Sequence, residues 1–207
     1  MHRVLGVVLV LPLLLWTVTG LVFLVKPGWS GAYEALSAFD ERPVELGGLV
    51  PPARLGEPQA TRIDLVSTAI GPVYRMTLPG GETRIVEASS GVALSPLTPQ
   101  AGERIALDAA SRASARERYG TVKAVREEAS AIAVDFEGGA TVSVGRTDLA
   151  LSQSGSDTAL IDALYRVHYL QWTGVAALDR TLELAAIGGT WGLAALGLLL
   201  LRRPRGV

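Results

Sequence analysis

Cysteine is absent from the 207 residues, and charged side chains make up only 19% of them. Without cysteine the chain has no disulfide framework, no thiolate metal site and no cysteine nucleophile. Its formal net charge is −1, whereas a nucleic-acid-binding domain needs a basic surface, so we expect no nucleic-acid partner. Soluble domains usually carry about 25% charged residues, which sets this sequence apart from an ordinary globular domain.

Recognisable catalytic motifs are also missing. The sequence has no phosphate-binding loop, no dinucleotide fingerprint and no zinc signature. No histidine or lysine stands at the spacing of a serine hydrolase from the candidate serines, which are Ser89, Ser90, Ser152 and Ser154. The sequence therefore leaves enzymatic activity open and leans against it.

The excess of apolar residues lies in two runs, Val4–Val25 and Leu182–Leu201, one near each end of the chain. Each run matches the roughly 20 residues that span a bilayer as a helix, so the sequence predicts two transmembrane helices. A cleaved signal peptide is the alternative for the first run. We disfavour it because the apolar core of a signal is about 7–15 residues long and precedes a small-residue cleavage site, which this run lacks.

Basic residues flank both runs on the side of the chain ends. Arg3 precedes the first run, and Arg202, Arg203 and Arg205 follow the second. Under the positive-inside rule, we expect both termini in the cytoplasm and the segment between the runs on the exported side. This topology predicts a protein of the bacterial inner membrane, with the lipid bilayer as a partner and a periplasmic central domain.

The predicted organisation has four parts. Residues 1–26 form the N-terminal transmembrane helix, and residues 27–155 form an exported domain. Residues 156–181 form a juxtamembrane interfacial helix, whose helical pattern covers Thr158–Trp172. Residues 182–207 form the C-terminal transmembrane helix with a basic cytoplasmic tail.

Turn and periodicity signals in the central segment alternate between strand and helix. Thr98 caps a helix that starts with Pro99 and is expected to run to about Tyr119, where Gly120 ends it. The predicted strands are Thr61–Ser67, Val73–Leu78, Thr83–Glu87, Ile132–Phe136, Thr141–Val144 and Thr147–Ser152. Two Gly-Gly turns between them are typical of hairpins. The expected fold class is a membrane α+β protein, with two transmembrane helices flanking a domain of antiparallel sheet plus helix.

Aromatic residues stand just outside each apolar run. Tyr165, Tyr169 and Trp172 have the i, i+4, i+7 spacing of one helical stripe. Trp29 and Tyr33 follow the first run at a similar short distance. Because tyrosine and tryptophan favour the membrane–water boundary, we expect all five to form an interfacial belt. Packing of the stripe against the exported domain is the alternative.

Several stretches of the sequence share a pattern with one known family, in the same order along the chain. These stretches are His2–Gly6, Thr19-Gly20, Val73–Met76, Val86–Val92, Leu164–His168 and Trp172–Gly174. The first two are similar to the family's first membrane helix, the next two to its hairpin, and the last two to its Leu-His segment. The chain thus resembles a short, two-helix member of the PepSY-associated transmembrane family.

This resemblance implies a PepSY-like exported domain. Domains of that kind are thought to bind or inhibit proteases, which implies a protein or peptide partner. Larger relatives in the family are linked to iron uptake, and some are similar to haem-containing reductases of ferric siderophores. For this chain the resemblance therefore also implies an alternative role with haem b as the cofactor.

The two histidines, His2 and His168, are the candidate haem ligands, because neutral imidazole is the common haem ligand in helix bundles. A spanning helix would separate them by roughly 30 Å, so one chain could not use both for one haem. A homodimer could pair equivalent histidines, and Gly188 and Gly192 have the Gly-x-x-x-Gly spacing that permits close helix packing. The alternative for His168 is a hydrogen bond to the backbone or to a lipid headgroup.

Two functional hypotheses follow from the sequence. The leading one is a membrane-anchored accessory protein whose exported domain engages a protein or peptide partner. The alternative is a haem-binding electron-transfer subunit linked to iron or siderophore reduction. On the leading hypothesis the chain needs no catalytic residues and no cofactor.

Overall fold

The computed structural model of the chain describes residues 2–26, 29–56, 59–94 and 96–201, and within these it leaves the side chains at 2–9, 11, 198, 200 and 201 undescribed. The helices are α1 (His2–Val25), α2 (Trp29–Ala32), α3 (Pro99–Arg112), α4 (Ser156–His168) and α5 (Ala176–Leu201). The strands are β1 (Phe39–Asp40), β2 (Arg62–Thr68), β3 (Val73–Thr77), β4 (Thr83–Glu87), β5 (Val122–Glu127), β6 (Ala131–Phe136), β7 (Ala140–Gly145) and β8 (Leu151–Gly155). The chain divides into a sheet unit, Ser30–Thr158, and a helical unit, Met1–Trp29 with Ala159–Val207.

Two antiparallel sheets of four strands each form most of the sheet unit. Their strand orders are β1-β2-β3-β4 and β5-β6-β7-β8, so strands that are consecutive in the chain are neighbours in the sheet. Short connections join most of these neighbours, because an antiparallel pair needs only a tight turn, whereas a long loop joins β1 to β2. The protein is therefore an α+β protein with antiparallel sheets.

Tight glycine turns set the two hairpins that the sequence predicts. In the β3–β4 hairpin, the Leu78 N–H donates to the Glu82 carbonyl at 2.8 Å. Gly80 and Gly81 have φ of 93° and 88°, values that glycine adopts without the cost that a Cβ imposes. The second hairpin, β6–β7, turns at Gly139 with φ 89°. The predicted hairpins are confirmed.

Helix α3 covers one face of the second sheet. The Thr98 side chain accepts a hydrogen bond from the Ala101 N–H at 3.3 Å, and Pro99 occupies the first turn, as the sequence predicts. The helix approaches the sheet closely, because a Cβ added to Gly102 would lie 2.8 Å from Cβ of Ile132. The buried residues of the helix are Gly102, Ile105, Ala106, Ala109 and Ala110.

Helix α3 ends at Arg112, earlier than the predicted end near Tyr119. Ala113 leaves the helix with an extended ψ of 151°. The Ser114 N–H, which a continuing helix would donate to a carbonyl four residues back, instead donates to the Glu34 carboxylate at 2.8 Å. This backbone hydrogen bond is the main cause that lowers the pKa of Glu34. A contact distant in sequence thus stops the helix before Gly120.

One face of the first sheet has its own small core, formed by Tyr74, Met76, Val86 and Ala88. Residues of the long loop before β2 cover it. The Tyr74 hydroxyl donates to the Val50 carbonyl at 2.9 Å, and the Val50 N–H donates to the Ala88 carbonyl at 2.8 Å. The proline- and glycine-rich loop is therefore attached to the sheet.

Two further elements differ from the prediction. The last strand begins at Leu151, because residues before it form a turn in which the Gly145 N–H donates to the Ala150 carbonyl at 2.8 Å. Leu149 takes a left-handed φ of 55° in that turn. Strand β5 has no predicted counterpart, since its register shift between Val122 and Ala124 breaks the alternation that marks a strand.

The prediction of two transmembrane helices is wrong. Within the described ranges, no helix is both long and apolar enough to cross a membrane. In α5, Asp179, Arg180 and Glu183 place charges in the first turns. In α1, side chains are described from Val10 onward with a gap at 11, and they include the polar Thr17 and Thr19.

The same finding shows that the predictions of a membrane α+β fold class, an inner-membrane localisation and a two-span topology are wrong. Each of them depended on treating Val4–Val25 and Leu182–Leu201 as spans, and the described helices provide none. The predicted roles of a juxtamembrane helix over 156–181 and of an interfacial aromatic belt lose their basis with the spans. Arg202, Arg203 and Arg205, the predicted cytoplasmic tail, lie outside the described residues.

Candidate functional site

In the helical unit, α1 and α4 meet at the side chain of His168. The Thr19 hydroxyl oxygen lies 2.8 Å from Nδ1 of His168. The Trp16 indole N–H donates to the His168 main-chain carbonyl at 2.6 Å. Thr19 is only 3% exposed, so this polar contact is shielded from water.

The hydrogen bonds of Thr19 fix which imidazole nitrogen carries the proton. A hydroxyl has one hydrogen to donate. The Thr19 hydroxyl oxygen lies 2.5 Å from the Leu15 carbonyl oxygen, and because a carbonyl can only accept, the hydroxyl hydrogen must lie between these two atoms. Towards His168 the oxygen must therefore accept, and Nδ1 is the protonated nitrogen. In the neutral ring this tautomer leaves the lone pair of Nε2 available.

The second ring nitrogen, Nε2, has no hydrogen-bond partner among the residues that the structure describes. Within those described residues, every buried side-chain nitrogen and oxygen has a hydrogen-bond partner. Because Nε2 has none, it is not buried and is accessible to solvent. An accessible lone pair on an imidazole held in one orientation is the arrangement that metal-ligating histidines use.

Aromatic rings surround this imidazole. The ring centroid of Phe23 lies 4.8 Å from that of His168 and 4.7 Å from that of Tyr165. Trp29 contacts Phe23 and Tyr165, with centroids 5.3 Å and 5.6 Å apart. Tyr169 lies edge-on to His168 at 5.3 Å. Three residues of the predicted belt, Trp29, Tyr165 and Tyr169, thus belong to one cluster around His168.

Helix α4 ends at His168, and Trp172 does not continue the predicted stripe. The Gln171 N–H donates to the Arg166 carbonyl at 2.8 Å, and the Leu170 N–H donates to the Val167 carbonyl at 3.2 Å. These two bonds form a Schellman C-cap. Glycine usually takes its left-handed position, but here Leu170 does so, with φ 55° and a side chain only 4% exposed.

An open groove of about 740 Å³ lies between the end of α4 and the start of α5. Its charged lining residues are Arg166, Asp179, Arg180 and Glu183. Trp172, which is 54% exposed, also lines it. The sequence indicated none of this groove, because its walls come from two helices and from the turn between them.

Asp179 holds that turn in place. Its Oδ1 accepts hydrogen bonds from the Thr173 hydroxyl at 2.7 Å and from the Thr173 N–H at 2.9 Å. These two bonds are the main causes that lower the pKa of Asp179. The carboxylate therefore acts first as the anchor of the loop at the N-terminus of α5, where a negative charge is favourable.

The remaining predicted site residues are His2, Tyr33, Gly188 and Gly192. The side chain of His2 is outside the described residues. Tyr33 belongs to the sheet unit and is 52% exposed. A Cβ built on Gly188 or Gly192 would meet no atom within 4 Å in the described part of the chain. Close helix packing at these two glycines stays a prediction.

In the sheet unit, the outer edge of β5 is open. The Glu128 N–H donates to the Ala131 carbonyl at 2.9 Å and closes the β5–β6 hairpin. Since antiparallel strands alternate inward and outward backbone groups, the N–H and C=O of Val125 and Glu127 face away from β6. Within the described ranges, no main-chain group pairs with them.

Other parts of the chain lie along the edges of β4 and β8. The Leu94 N–H donates to the Ile85 carbonyl at 3.0 Å beside β4. Beside β8, the Gln153 side chain donates to the main-chain carbonyl of Glu34 at 2.6 Å. Strand β1 pairs with the end of β2. The edge of β5 is therefore open to a partner at two outward residues, as is the outer edge of β2 at Ile63 and Leu65 within the described ranges.

The described residues contain no group of three or more His, Asp or Glu side chains that could hold a metal ion. For haem, the fit is limited to one imidazole, that of His168, whose Nε2 lone pair is oriented and accessible. Nothing in the described ranges provides a second histidine beside it.

No family model matches the chain, and no curated protein or solved structure matches it at significant similarity. The resemblance to the PepSY-associated family therefore gains no support from these comparisons and stays a prediction.

Proposed function

We propose that the sheet unit is a binding module that takes an extended segment of a partner protein along the outer edge of β5. The observation that carries this proposal is the row of outward backbone groups at Val125 and Glu127, which no described residue pairs with. An added strand would satisfy these groups with main-chain hydrogen bonds, the mode of peptide recognition called β-augmentation.

Two features of this edge favour the binding of a specific partner over indiscriminate aggregation. Its strand is irregular between Val122 and Ala124, and such bulges discourage indiscriminate edge pairing. Lys123 stands near its start, while Glu127 and Glu128 stand at its end. A partner running antiparallel, with a basic residue first and an acidic residue last, therefore complements the charges of this edge.

A proline substitution tests the proposal at the backbone. In E127P the outward N–H is lost, whereas the inward hydrogen bonds of β5 remain, because proline removes only its own donor. The matched control is E127A, which removes the same carboxylate and its 3.4 Å ion pair with Arg146 but keeps the N–H.

The probe is a capped seven-residue peptide of alternating threonine and valine that starts with lysine and ends with glutamate. We expect amide chemical-shift changes confined to β5 in the native protein and in E127A, and none in E127P. Equal binding by E127P and E127A, or shifts elsewhere in the sheet unit only, would overturn the proposal. Sedimentation of the free protein shows whether a second copy occupies this edge instead.

A second candidate function is haem binding with electron transfer, and the His168 geometry is the observation that favours it. When bound, haem would supply one-electron chemistry, and His168 would be its ligand through Nε2. Thr19 would hold the imidazole orientation, as partners of ligating histidines do. The rings of Phe23 and Tyr169, which contact the imidazole, would hold the plane of the imidazole in place.

The test of this second function is optical. The purified protein is mixed with haemin and its visible spectrum is recorded before and after reduction with dithionite. We expect a Soret band that shifts on reduction and that is lost in H168A but kept in Y169A, which retains the imidazole. A protein without a Soret band after haem addition, or a band unchanged in H168A, excludes His168 as a haem ligand.

A further inference from the structure

The groove between α4 and α5 combines charges of both signs with an exposed aromatic ring. Its volume of about 740 Å³ falls within the roughly 300–1,000 Å³ of small-molecule sites. Its walls are the last turn of α4, the connection from Gln171 to Gly174 and the first two turns of α5. This composition calls for a ligand that is itself both charged and apolar.

The two arginines of the groove are available to a ligand. Arg166 and Arg180 form no salt bridge with a carboxylate in the described part of the chain. Guanidinium groups bind carboxylates in planar, paired hydrogen bonds. The two side chains come from different helices, so a carboxylate between them would be contacted from two sides.

The two acids of the groove differ in their role. Asp179 is only 7% exposed and is bonded to Thr173. Glu183 lies one turn further along α5 and is partly exposed at the groove. Glu183 is therefore the acid that can meet a positive group of a ligand.

We infer that the groove binds a zwitterionic ligand, namely a free amino acid or a short peptide with unblocked termini. Arg166 and Arg180 take the carboxylate, Glu183 takes the ammonium group, and Trp172 contacts the side chain of the ligand. The inference goes beyond the proposed strand addition, because it concerns the helical unit and a ligand too short to add to a sheet.

Three related ligands test the contributions of the carboxylate and of the ammonium group separately. The probe is the dipeptide phenylalanylglycine with free termini, and its two relatives are the C-terminal amide and the N-acetyl form. Binding is followed by calorimetry and by tryptophan fluorescence, with W172F identifying the part of the fluorescence change that comes from the groove. We expect saturable binding of the free dipeptide and affinity lower by roughly tenfold or more for each blocked form.

Matched variants of the protein assign each charge. In R180Q the free dipeptide should bind about as weakly as the amide binds to the native protein, and the amide should lose little more. In E183Q the free dipeptide should bind about as weakly as the N-acetyl form binds to the native protein, and the N-acetyl form should lose little more. R116Q, an exposed arginine of the sheet unit, is the control and should bind the free dipeptide normally. Circular dichroism of each variant verifies that it is folded.

Equal affinity for the three ligands, or unchanged affinity in both R180Q and E183Q, would overturn the inference. The absence of saturable binding by the native protein at millimolar concentration would do the same. These outcomes are independent of strand addition at β5, since the seven-residue probe used there is capped and E127P lies in the other unit.

Discussion

Thr19 and His168 are joined by a hydrogen bond of 2.8 Å between the threonine hydroxyl and Nδ1 of the imidazole. Because the hydroxyl hydrogen is given to the Leu15 carbonyl, the histidine has to donate. The contact therefore does more than position a ring, since it selects the protonated nitrogen. It also explains why a threonine with a 3% exposed side chain stands within the apolar α1.

The tautomer of His168 is the first prediction. In T19V the acceptor at Nδ1 is lost, and we expect the neutral ring to move from the Nδ1–H form towards the Nε2–H form. Two-bond proton–nitrogen correlation spectra distinguish the two forms directly. T17V is the control, since Thr17 makes the same kind of bond to a carbonyl one turn back, at 2.8 Å, but is exposed and has no contact with the imidazole. A native protein in the Nε2–H form would contradict the assignment.

The second prediction concerns the strained C-cap of α4. Leu170 adopts φ 55°, which costs a residue with a Cβ about 1 kcal/mol. Its buried side chain offsets that cost. Both L170A and L170G lose the burial, but only glycine also removes the strain. We therefore expect L170G to be less destabilised than L170A, by about 1 kcal/mol, reversing the usual order of alanine and glycine.

Urea unfolding followed by far-ultraviolet circular dichroism measures this difference. The exposed Leu160 on the same helix provides the control, since it lies in the helix interior. There glycine should be less stable than alanine by about 1 kcal/mol. The same order at both positions would refute strain at Leu170.

Gly102 gives the third prediction. An alanine in a helix interior is normally about 1 kcal/mol better than glycine. At Gly102, however, the new Cβ would lie 2.8 Å from both Cβ and Cγ2 of Ile132, and overpacking of a core costs about 1–3 kcal/mol. We expect G102A to lower the free energy of unfolding by about 1 kcal/mol. E103A in the same helix turn should change it by less than about 0.5 kcal/mol, and a stabilised G102A would show that α3 can move away from the sheet.

The acid dependence of stability is the fourth prediction. The Arg126 side chain, and then the Thr141 hydroxyl, bond to Asp135 and lower its pKa to about 2. A carboxyl whose pKa is lowered on folding stabilises the protein above its unfolded pKa and loses that contribution as the pH falls through the folded pKa. The contribution of Asp135 should therefore be complete above about pH 4 and be lost towards pH 2.

The pair is partly exposed, with Arg126 at 52% and Asp135 at 25%, so solvent screening reduces this contribution to about 1 kcal/mol. Unfolding free energies measured from pH 5 to pH 2 should fall less steeply in D135N than in the native protein. E117Q, which removes an exposed carboxylate of the same unit, should follow the native curve. Parallel curves for D135N and the native protein would exclude a role for this pair.

The local elements of the sheet unit were largely readable from the sequence. The cap at Thr98 and Pro99 and the two glycine turns depend on residues adjacent in the chain, so their signals are local. Signals from distant residues were not readable. The end of α3 depends on Glu34, and the irregular β5 depends on its pairing with β6.

The two apolar runs show the limit of reasoning from composition. Their length and hydropathy predicted membrane spans, and the described helices do not meet that requirement. Hydropathy counts residues one by one. It does not register that Trp16 and Thr19 bond to a histidine from another helix, or that Asp179 anchors a turn.

The sequence by itself determined the antiparallel α+β class, the hairpins and the absence of thiol chemistry, because each follows from residue types or near neighbours. Only the tertiary structure decided the protonated nitrogen of His168, the groove between α4 and α5 and the open edge of β5. These features arise where segments far apart in sequence meet or leave a backbone unpaired. The spacing of residues along the chain does not indicate such contacts, so only the folded positions of the atoms reveal them.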